Sequence, residues 1–337
     1  MSVMVDRAGA IRLSIVVPAY NSPRQLAECL AALRAAAPAD AELIVVDDAS
    51  TDETPDVAKA AGARVLRLTR NAGPGAARNH GAERADGTVL LFVDADVVVA
   101  PGAVSRVAAT FAGDAGLAAC FGSYDDRPRA PGLVSRYRNL LHHFVHQNGN
   151  AEASTFWAGL GAVRRTIFLD VGGFDAVRFP RPSIEDIELG YRLRRAGHRI
   201  LLDKGLQGTH LKRWGLTSMV RTDVTCRALP WARLILESGN APADLNLLGT
   251  QRASAALTVL ALAAAVLALG WPALGLLAVA ALAAVAGINR RFYGFLWRRG
   301  GAPLAVAGFG LHLLYFLYSA ASFAYVWAGF RLRLRAR

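Results

Sequence analysis

The sequence predicts an α/β domain, in which helices flank a mostly parallel sheet, followed by an α-helical membrane domain. Over residues 11–210, short apolar runs alternate with stretches of helical periodicity, as in β-α-β units. The strand-like runs are apolar on both faces, which is typical of parallel strands covered by helices. From residue 253 to its end, the 337-residue chain has no Asp, Glu or Lys, but it has eight arginines.

Four strands are predicted in the first domain, at residues 13–17, 42–46, 64–68 and 89–93. Three of them run into polar residues, at 18–21 (PAYN), 47–48 (DD) and 94–96 (DAD). Because ligands of parallel sheets bind outside the carboxyl ends of the strands, these residues predict a binding site at that edge. Between the second and third strands, residues 50–53 (STDE) fit a capping box and predict the start of a helix.

The formal net charge of +12 would suit a nucleic-acid partner, but its distribution argues against one. Much of the excess lies among the apolar stretches of the C-terminal region, which indicates a membrane surface instead. The three cysteines form no CxxC pair and are expected to be reduced thiols in a protein that faces the cytosol. The first twelve residues contain no apolar run, so no signal peptide is expected.

Three apolar runs, at residues 253–269, 273–288 and 302–330, predict a transmembrane helical domain over residues 251–337 with an Arg-rich tail. A buried helical core is the alternative. The topology stays open. A two-span hairpin places the arginines at 290–299 in the cytoplasm, but a third span places those at 331–337 outside unless one segment is re-entrant.

Residues 216–250 are predicted to connect the first domain, residues 1–215, with the membrane domain. Apolar residues of the 216–237 segment share one helix face, while arginines offer charge. This pattern predicts an interfacial amphipathic helix, bent near Pro230, and a linker. An ordinary packing helix of the first domain is the alternative.

Five short motifs occur in a fixed order in the first domain: SIVVPAYN, VVDDASTDET, RNAGPGAARNHGAERADGTVLLFVDAD, VGGFD and EDIELGYRLRRAG. With these motifs the chain resembles glycosyltransferase family 2, over about residues 11–215. The resemblance implies a GT-A fold and an inverting, metal-dependent hexosyl transfer from a nucleotide sugar. A UDP-sugar is the expected donor.

The resemblance also implies which residues hold the donor. They are Pro18, Tyr20, Asn21, Asp47, Asp48, Asn71, Gly73, Arg78, Asp94 and Asp96. Gly73 and Gly75 would let the backbone approach the ligand, and the helix that follows offers N–H groups to an anion. The alternative for the Asp47-Asp48 pair is a solvated turn ahead of a helix.

Asp94 and Asp96 are one residue apart at a predicted strand end. Two such carboxylates can share a divalent cation and a ribose hydroxyl, and Mg²⁺ or Mn²⁺ prefers oxygen ligands. The resemblance implies that Asp94 meets the ribose and Asp96 the metal that bridges the diphosphate. His210 is the third expected member of the metal site, although a lone histidine is more often structural.

The acidic pair Glu185-Asp186 is the predicted catalytic site. The resemblance makes Asp186 the general base, which takes a proton from the acceptor hydroxyl as that hydroxyl attacks the anomeric carbon. The alternative is a capping box that starts at Ser183, in which Asp186 only stabilises a helix end.

His142, His143 and His146 form a cluster on a predicted helix. His142 and His146 are four residues apart and therefore share a face. A zinc site would need a third ligand that the sequence does not identify. Binding of an acceptor phosphate and an ordinary polar helix face are the two other interpretations.

Together these features predict a multi-pass protein of the plasma membrane or cell inner membrane, whose catalytic domain faces the cytoplasm. Its acceptor would be a lipid or a lipid-linked sugar, as in glycolipid or cell-envelope biosynthesis. A processive polysaccharide synthase is the main alternative. A sugar nucleotidyltransferase and a non-catalytic membrane scaffold are weaker ones. The donor sugar, the acceptor and the oligomeric state do not follow from the sequence.

Overall fold

The computed structural model describes residues 11–239, 245 and 248–335. It contains two compact units, of which the first comprises Met1–Arg129 and Gly149–Leu211, and the second Ala130–Asn148 and Lys212–Arg337. The predicted first domain was one continuous segment. The structure instead groups residues 130–148 with the C-terminal helices.

One eight-stranded sheet forms the first unit, in the order β3-β2-β1-β4-β7-β6-β8-β5. The strands are β1 (Leu13–Ala19), β2 (Glu42–Asp47), β3 (Arg64–Arg67), β4 (Val89–Val93), β5 (Val97–Val99), β6 (Leu117–Tyr124), β7 (Leu160–Arg164) and β8 (Arg199–His210). The four predicted strands are therefore confirmed as β1–β4, with ends that differ by no more than two residues.

The sheet is mixed: among the described strands four pairs are parallel, including β6 with β8, and three are antiparallel. Strands β1 to β4 pair in parallel, but β7 is antiparallel to both β4 and β6, and β5 is antiparallel to β8. The alternation of strand and helix is interrupted once, after β4. The chain then continues directly from β4 into the short strand β5, with no helix between them.

Helices cover the sheet of the first unit. They are α1 (Pro23–Ala36), α2 (Thr54–Ala60), α3 (Pro74–Glu83), α4 (Ala103–Gly113), α6 (Arg165–Asp170) and α7 (Glu185–Arg195). Helix α1 shows the principle, because its buried residues Leu26, Cys29, Leu30 and Leu33 form one stripe at helical spacing. The three cysteines are free; Cys29 and Cys120 are buried and Cys226 is partly exposed.

The predicted capping box at residues 50–53 is wrong. Helix α2 begins at Thr54, and its N-cap residue, Glu53, makes no side-chain capping hydrogen bond. The carboxylate of Asp52 accepts hydrogen bonds from the Thr54 amide and hydroxyl instead, at 3.0 and 2.6 Å. The Ser50 hydroxyl is engaged elsewhere, since it accepts a hydrogen bond from the Asn21 amide at 3.0 Å.

The second unit is helical. It contains α5 (Leu133–Asn148), α8 (Leu216–Thr222), a π-helical turn (Asp223–Ala228), α9 (Leu229–Ser238), α10 (Gly249–Leu267), α11 (Leu274–Ile288) and α12 (Arg290–Arg335). The expected helix at 216–237 is thus present, and its irregularity is the π-helical turn just before Pro230. Helix α12 is interrupted at Gly300 and Gly301.

Helices α10 and α11 pack through small side chains. The buried residues are Ser254, Thr258, Ala261 and Ala264 on α10, and Ala278, Ala281 and Val285 on α11. The large apolar side chains, such as Leu262 and Leu276, are exposed. Within the described residues, α10 and the segment from Arg290 to Leu332 are the two helices whose length and composition would allow them to cross a membrane.

Candidate active site

Asp48 holds the glycine-rich turn against the end of β2. Its two carboxylate oxygens accept hydrogen bonds from the amides of Ala72 and Gly73, at 2.7 and 2.9 Å. Burial raises the pKa of this carboxyl, although the two amide donors oppose the shift. Asp48 is therefore a positioning residue for the turn that the sequence assigned to the donor.

Asn21 and Asp47 join the ends of β1 and β2. The Asn21 amide donates to the Ser50 hydroxyl at 3.0 Å, and its side-chain oxygen accepts from the Thr51 amide at 2.9 Å. Buried Asp47 is 3.1 Å from Nε of Arg67. Tyr20 is 48% exposed at the same edge. The parallel register, which pairs Ala19 with Asp47, thus brings together the polar residues at the ends of β1 and β2.

Gly73 occupies a position that only glycine fits. Its φ of +87° lies in the left-handed region, and a Cβ at this position would lie 2.6 Å from the carbonyl oxygen of Pro180. A Cβ on Gly75 would lie 3.6 Å from Cγ of Glu185. These close approaches bring the turn that begins α3 against the segment that begins α7.

Arg78 connects the DAD segment with the acidic pair. This buried guanidinium contacts Asp94 Oδ1 at 2.5 Å and Glu185 Oε1 at 3.2 Å. It also lies over the ring of Phe174, with its carbon 5.5 Å from the ring centroid. The Arg78 guanidinium therefore connects the DAD segment and the acidic pair, which the sequence predicted as separate sites.

Asp186 is held by backbone amides. Its oxygens accept hydrogen bonds from Ala158 N at 3.2 Å and from Ile187 N at 2.8 Å. Burial first, and then the neighbouring charge of Glu185, raise the pKa of Asp186 to about 7, and Arg78 opposes the shift. The alternative of a capping box is not what forms, because Ile184 is the N-cap and the Ser183 amide donates to Glu185.

Asp96 and His210 face each other across the antiparallel pair β5–β8. His210 Nε2 lies 3.4 Å from Asp96 Oδ2, and the register pairs Val97 with His210. Asp94, the third predicted metal ligand, is not part of this pair because Arg78 engages its carboxylate. Across the described part of the chain, no group of three or more His, Cys, Asp or Glu is arranged as a metal site.

The residues Asp96 and His210 nevertheless fit a divalent cation in part. Mg²⁺ and Mn²⁺ sites on phosphate substrates use one or two protein carboxylates, and the phosphates and water supply the other ligands. Asp96 offers the oxygen ligand that these cations prefer, whereas imidazole is a more usual ligand of zinc, copper and iron, so the fit rests mainly on Asp96.

Two aromatic residues that the sequence analysis missed stand beside His210. The ring of Tyr124 stacks on the His210 ring, with a centroid distance of 4.2 Å and an angle of 9°. Trp157 meets Tyr124 edge to face at 4.9 Å. Tyr124 ends β6 and Trp157 lies in a loop, so no periodicity or motif marks either of them.

The histidine cluster belongs to the second unit. The rings of His142 and His146 are 4.0 Å apart, and His143 stacks on Phe295 with a centroid distance of 5.7 Å. No third zinc ligand joins them among the residues that the structure describes. The structure therefore gives no support to the zinc interpretation.

The chain is similar in sequence to known glycosyltransferases. Residues 14–172 match the family model described as glycosyl transferase family 2. The chain is 32% identical over 240 residues to validoxylamine A glucosyltransferase of Streptomyces hygroscopicus subsp. limoneus, which covers 59% of this chain and 52% of that protein. It is 38% identical over 104 residues to poly(ribitol-phosphate) beta-glucosyltransferase of Bacillus spizizenii, over 28% of this chain and 16% of that protein.

Among solved structures, the fold is similar to that of a mannosyltransferase from Pyrobaculum calidifontis in complex with GDP-Man and Mn²⁺. The TM-score is 0.58 at 19% identity, over 93% of this chain and 87% of that one. The chain spans about half the length of the first curated relative above. The expected GT-A-like fold is confirmed as a mixed sheet flanked by helices, and residues 14–172 are similar to glycosyl transferase family 2.

Proposed function

We propose that the first unit transfers a sugar, with inversion, from a nucleotide-sugar donor to an acceptor hydroxyl, and that Asp186 is the general base. The observation that carries this proposal is the contact of Arg78 with both Asp94 and Glu185. Glu185 directly precedes the proposed base, Asp186, and Asp94 follows strand β4. The contact therefore links the proposed base with the sheet edge where the proposed donor residues lie. A UDP-sugar is the donor we expect.

The proposed reaction couples removal of the acceptor proton to transfer of the sugar. The Asp186 carboxylate removes the proton of the acceptor hydroxyl, whose oxygen forms a bond to the anomeric carbon. The bond from that carbon to the donor diphosphate breaks, and the nucleoside diphosphate leaves with the electron pair. A pKa of about 7 suits a base that works near neutral pH, because proton transfer is then well driven while much of the base is ionised.

Asp96 and His210 are the residues that would hold Mg²⁺ or Mn²⁺. When bound, the cation would neutralise charge on the leaving diphosphate. Asp94 remains with Arg78, where it can accept a hydrogen bond from the donor ribose. Asp48 supports the donor turn through its two backbone contacts.

We also propose that the second unit is a membrane domain and that the acceptor is a lipid or a lipid-linked sugar. Apart from Val285, small residues face inward between α10 and α11, while leucines and the other valines are wholly or partly exposed. This is the reverse of a water-soluble helix pair and is typical of helices that pack within lipid. A multi-pass protein with a cytoplasmic catalytic unit is the arrangement we favour.

The test is transfer of labelled sugar from UDP-, GDP- and dTDP-sugars into a lipid extract by the detergent-purified protein with Mg²⁺ or Mn²⁺. Asp186→Asn should abolish transfer and retain donor binding, since the amide cannot accept the proton. Asp170→Asn, on an exposed carboxyl at the end of α6, is the matched control and should be fully active. Near wild-type transfer by Asp186→Asn would overturn the assignment of the base.

The same assay separates the two parts of the proposal. Release of nucleoside diphosphate without labelled lipid would support the donor site and contradict the lipid acceptor. Addition of many sugars to one acceptor would favour a processive synthase instead.

A further inference from the structure

The second unit contains a cavity of about 520 Å³ between helices α5, α9, α10 and α12 and the π-helical turn. Most of its lining is apolar, and Trp231, Ile235, Phe316 and Phe323 form its larger walls. Ala255 and Ala256 of α10 leave the space open, because their side chains are small. The cavity belongs entirely to the second unit and shares no residue with the candidate active site.

One part of the cavity carries a cluster of charges around Asp223. Its Oδ1 accepts hydrogen bonds from Arg138 at 2.8 Å and from Arg227 at 2.9 Å, and its Oδ2 accepts one from the Tyr318 hydroxyl at 2.6 Å. Asp223 is 3% exposed. Two guanidinium groups therefore share one carboxylate, so this cluster has a net charge of +1.

The π-helical turn is part of this arrangement. It runs from Asp223 to Ala228 and so includes both Asp223 and Arg227, with regular α-helix on either side. Such turns are rare and occur frequently at functional sites, since the extra residue changes which side chains share a face. Here two members of the charge cluster lie on the irregular turn.

Shape and charge together define the ligand. An apolar enclosure whose lining includes Arg138, Arg227 and Arg252 matches an amphiphile that has a hydrocarbon chain and an anionic head. A phosphate is the suitable head, because guanidinium forks bind phosphate oxygens in pairs. Arg227 can supply such a contact because its side chain is 43% exposed, whereas the side chain of Arg138 is only 16% exposed.

We propose that this cavity binds a lipid phosphate, with the hydrocarbon chain along Trp231 and Phe323 and the phosphate at Arg227. The identification of this lipid with the acceptor of the sugar rests on the proposed function above. Binding of the lipid by the cavity does not, and it can be measured without donor or metal.

The experiment uses the full chain in detergent and a phosphatidic acid with brominated acyl chains, which quench tryptophan fluorescence on contact. Saturable quenching is expected in the wild type. Trp231→Phe should remove the saturable part, whereas Trp271→Phe should retain it, because Trp271 is an exposed residue between α10 and α11. Equal saturable quenching in Trp231→Phe would overturn the proposal.

Two variants test the head and the chain separately. Arg227→Gln should weaken binding about tenfold, as expected for one lost charge-assisted contact. Arg24→Gln on the exposed face of α1 removes the same charge and should have no effect. Ala256→Phe fills the cavity and retains every charge, so it should also abolish saturable quenching.

Competition experiments distinguish a lipid phosphate from an uncharged lipid and from free inorganic phosphate. Brominated diacylglycerol, which lacks phosphate, should bind at least about tenfold more weakly than the lipid phosphate. Equal binding would overturn the assigned head group. Displacement of the lipid by inorganic phosphate alone at equal concentration would show a site for free phosphate and overturn the lipid. Normal binding without any sugar transfer would contradict only the proposed function.

Discussion

At the scale of single residues, the candidate site depends on one buried guanidinium group, that of Arg78. Arg78 faces Asp94 and Glu185 directly, and its charge also lowers the pKa of Asp186. Burial and Glu185 act in the opposite direction, and they prevail. The ionisation of the proposed base is therefore a balance among burial, Glu185 and Arg78, so it is open to test through the pH dependence of the reaction.

Transfer should increase with pH through about 7 and level off above it. The raised pKa keeps Asp186 protonated, and therefore inactive as a base, below that pH. The measurement is kcat/KM between pH 5 and 9, with donor binding followed in parallel. A profile that is flat from pH 5 upward would contradict a base with this pKa.

Arg78→Met should shift the same profile to higher pH. Removal of the cation leaves the negative charge of Glu185 uncompensated beside Asp186, which favours the protonated form. A fall in kcat/KM at neutral pH that is partly recovered at alkaline pH is the expected result. Arg195→Met, at the exposed end of α7, should retain the wild-type profile. A pH-independent loss in Arg78→Met would indicate a structural role only.

At the scale of elements, the glycine-rich turn before α3 and the α10–α11 pair depend on the absence of side-chain bulk. The turn lies close to the Pro180 carbonyl, and the two helices approach each other through alanines. In both places one added group would meet atoms that have no room to move. Stability measurements can test each contact against a site with open space.

Gly73→Ala should destabilise the protein by about 1–3 kcal/mol and weaken donor binding. It forces an alanine into the left-handed region and toward the Pro180 oxygen. Gly102→Ala is the matched control, because its φ is +77° but nothing lies within 4 Å of the added Cβ. The difference in unfolding free energy between the two variants measures the steric contact. Equal effects would contradict the close approach.

Ala261→Leu should lower the midpoint of thermal unfolding in detergent, with a cost of about 1–3 kcal/mol for overpacking. Ala261 is buried against α11, whereas Ala263 is exposed on the same helix. Ala263→Leu makes the same substitution on the outer face and should be neutral. If both variants are neutral, the two helices do not pack as described.

At the scale of the whole molecule, both units have a core of large buried residues, but they differ in how much apolar surface they expose. The first has a core of large apolar residues around the sheet, including Phe92, Phe111 and Leu30. Much of the exposed apolar surface of the described chain lies on α10–α12. In water this surface would favour aggregation, whereas in a bilayer it needs no cover.

The full chain should therefore remain with the membrane fraction after washes with high salt and at alkaline pH. High salt removes proteins held by charge alone, and alkaline washing removes those held at the surface. Detergent should release it. Quantitative release by salt would contradict a spanning domain and favour surface attachment through the arginines.

The first four strands, the polar residues at their ends and the helical character of the C-terminal region could be predicted from the sequence alone. These features are local, since strand periodicity, turn residues and apolar runs are read within a few residues. The strand-end residues were also predictable as one site, because parallel strands place their carboxyl ends at the same edge.

Which of those residues meet became clear from the folded chain. It joins Arg78 to Glu185 across 107 positions, engages Asp94 with Arg78 rather than with His210, and places Tyr124 beside His210. It also groups α5 with the C-terminal helices. Contacts between residues distant in the chain depend on packing and on the balance of buried charge, and neither has a period or a motif in one sequence.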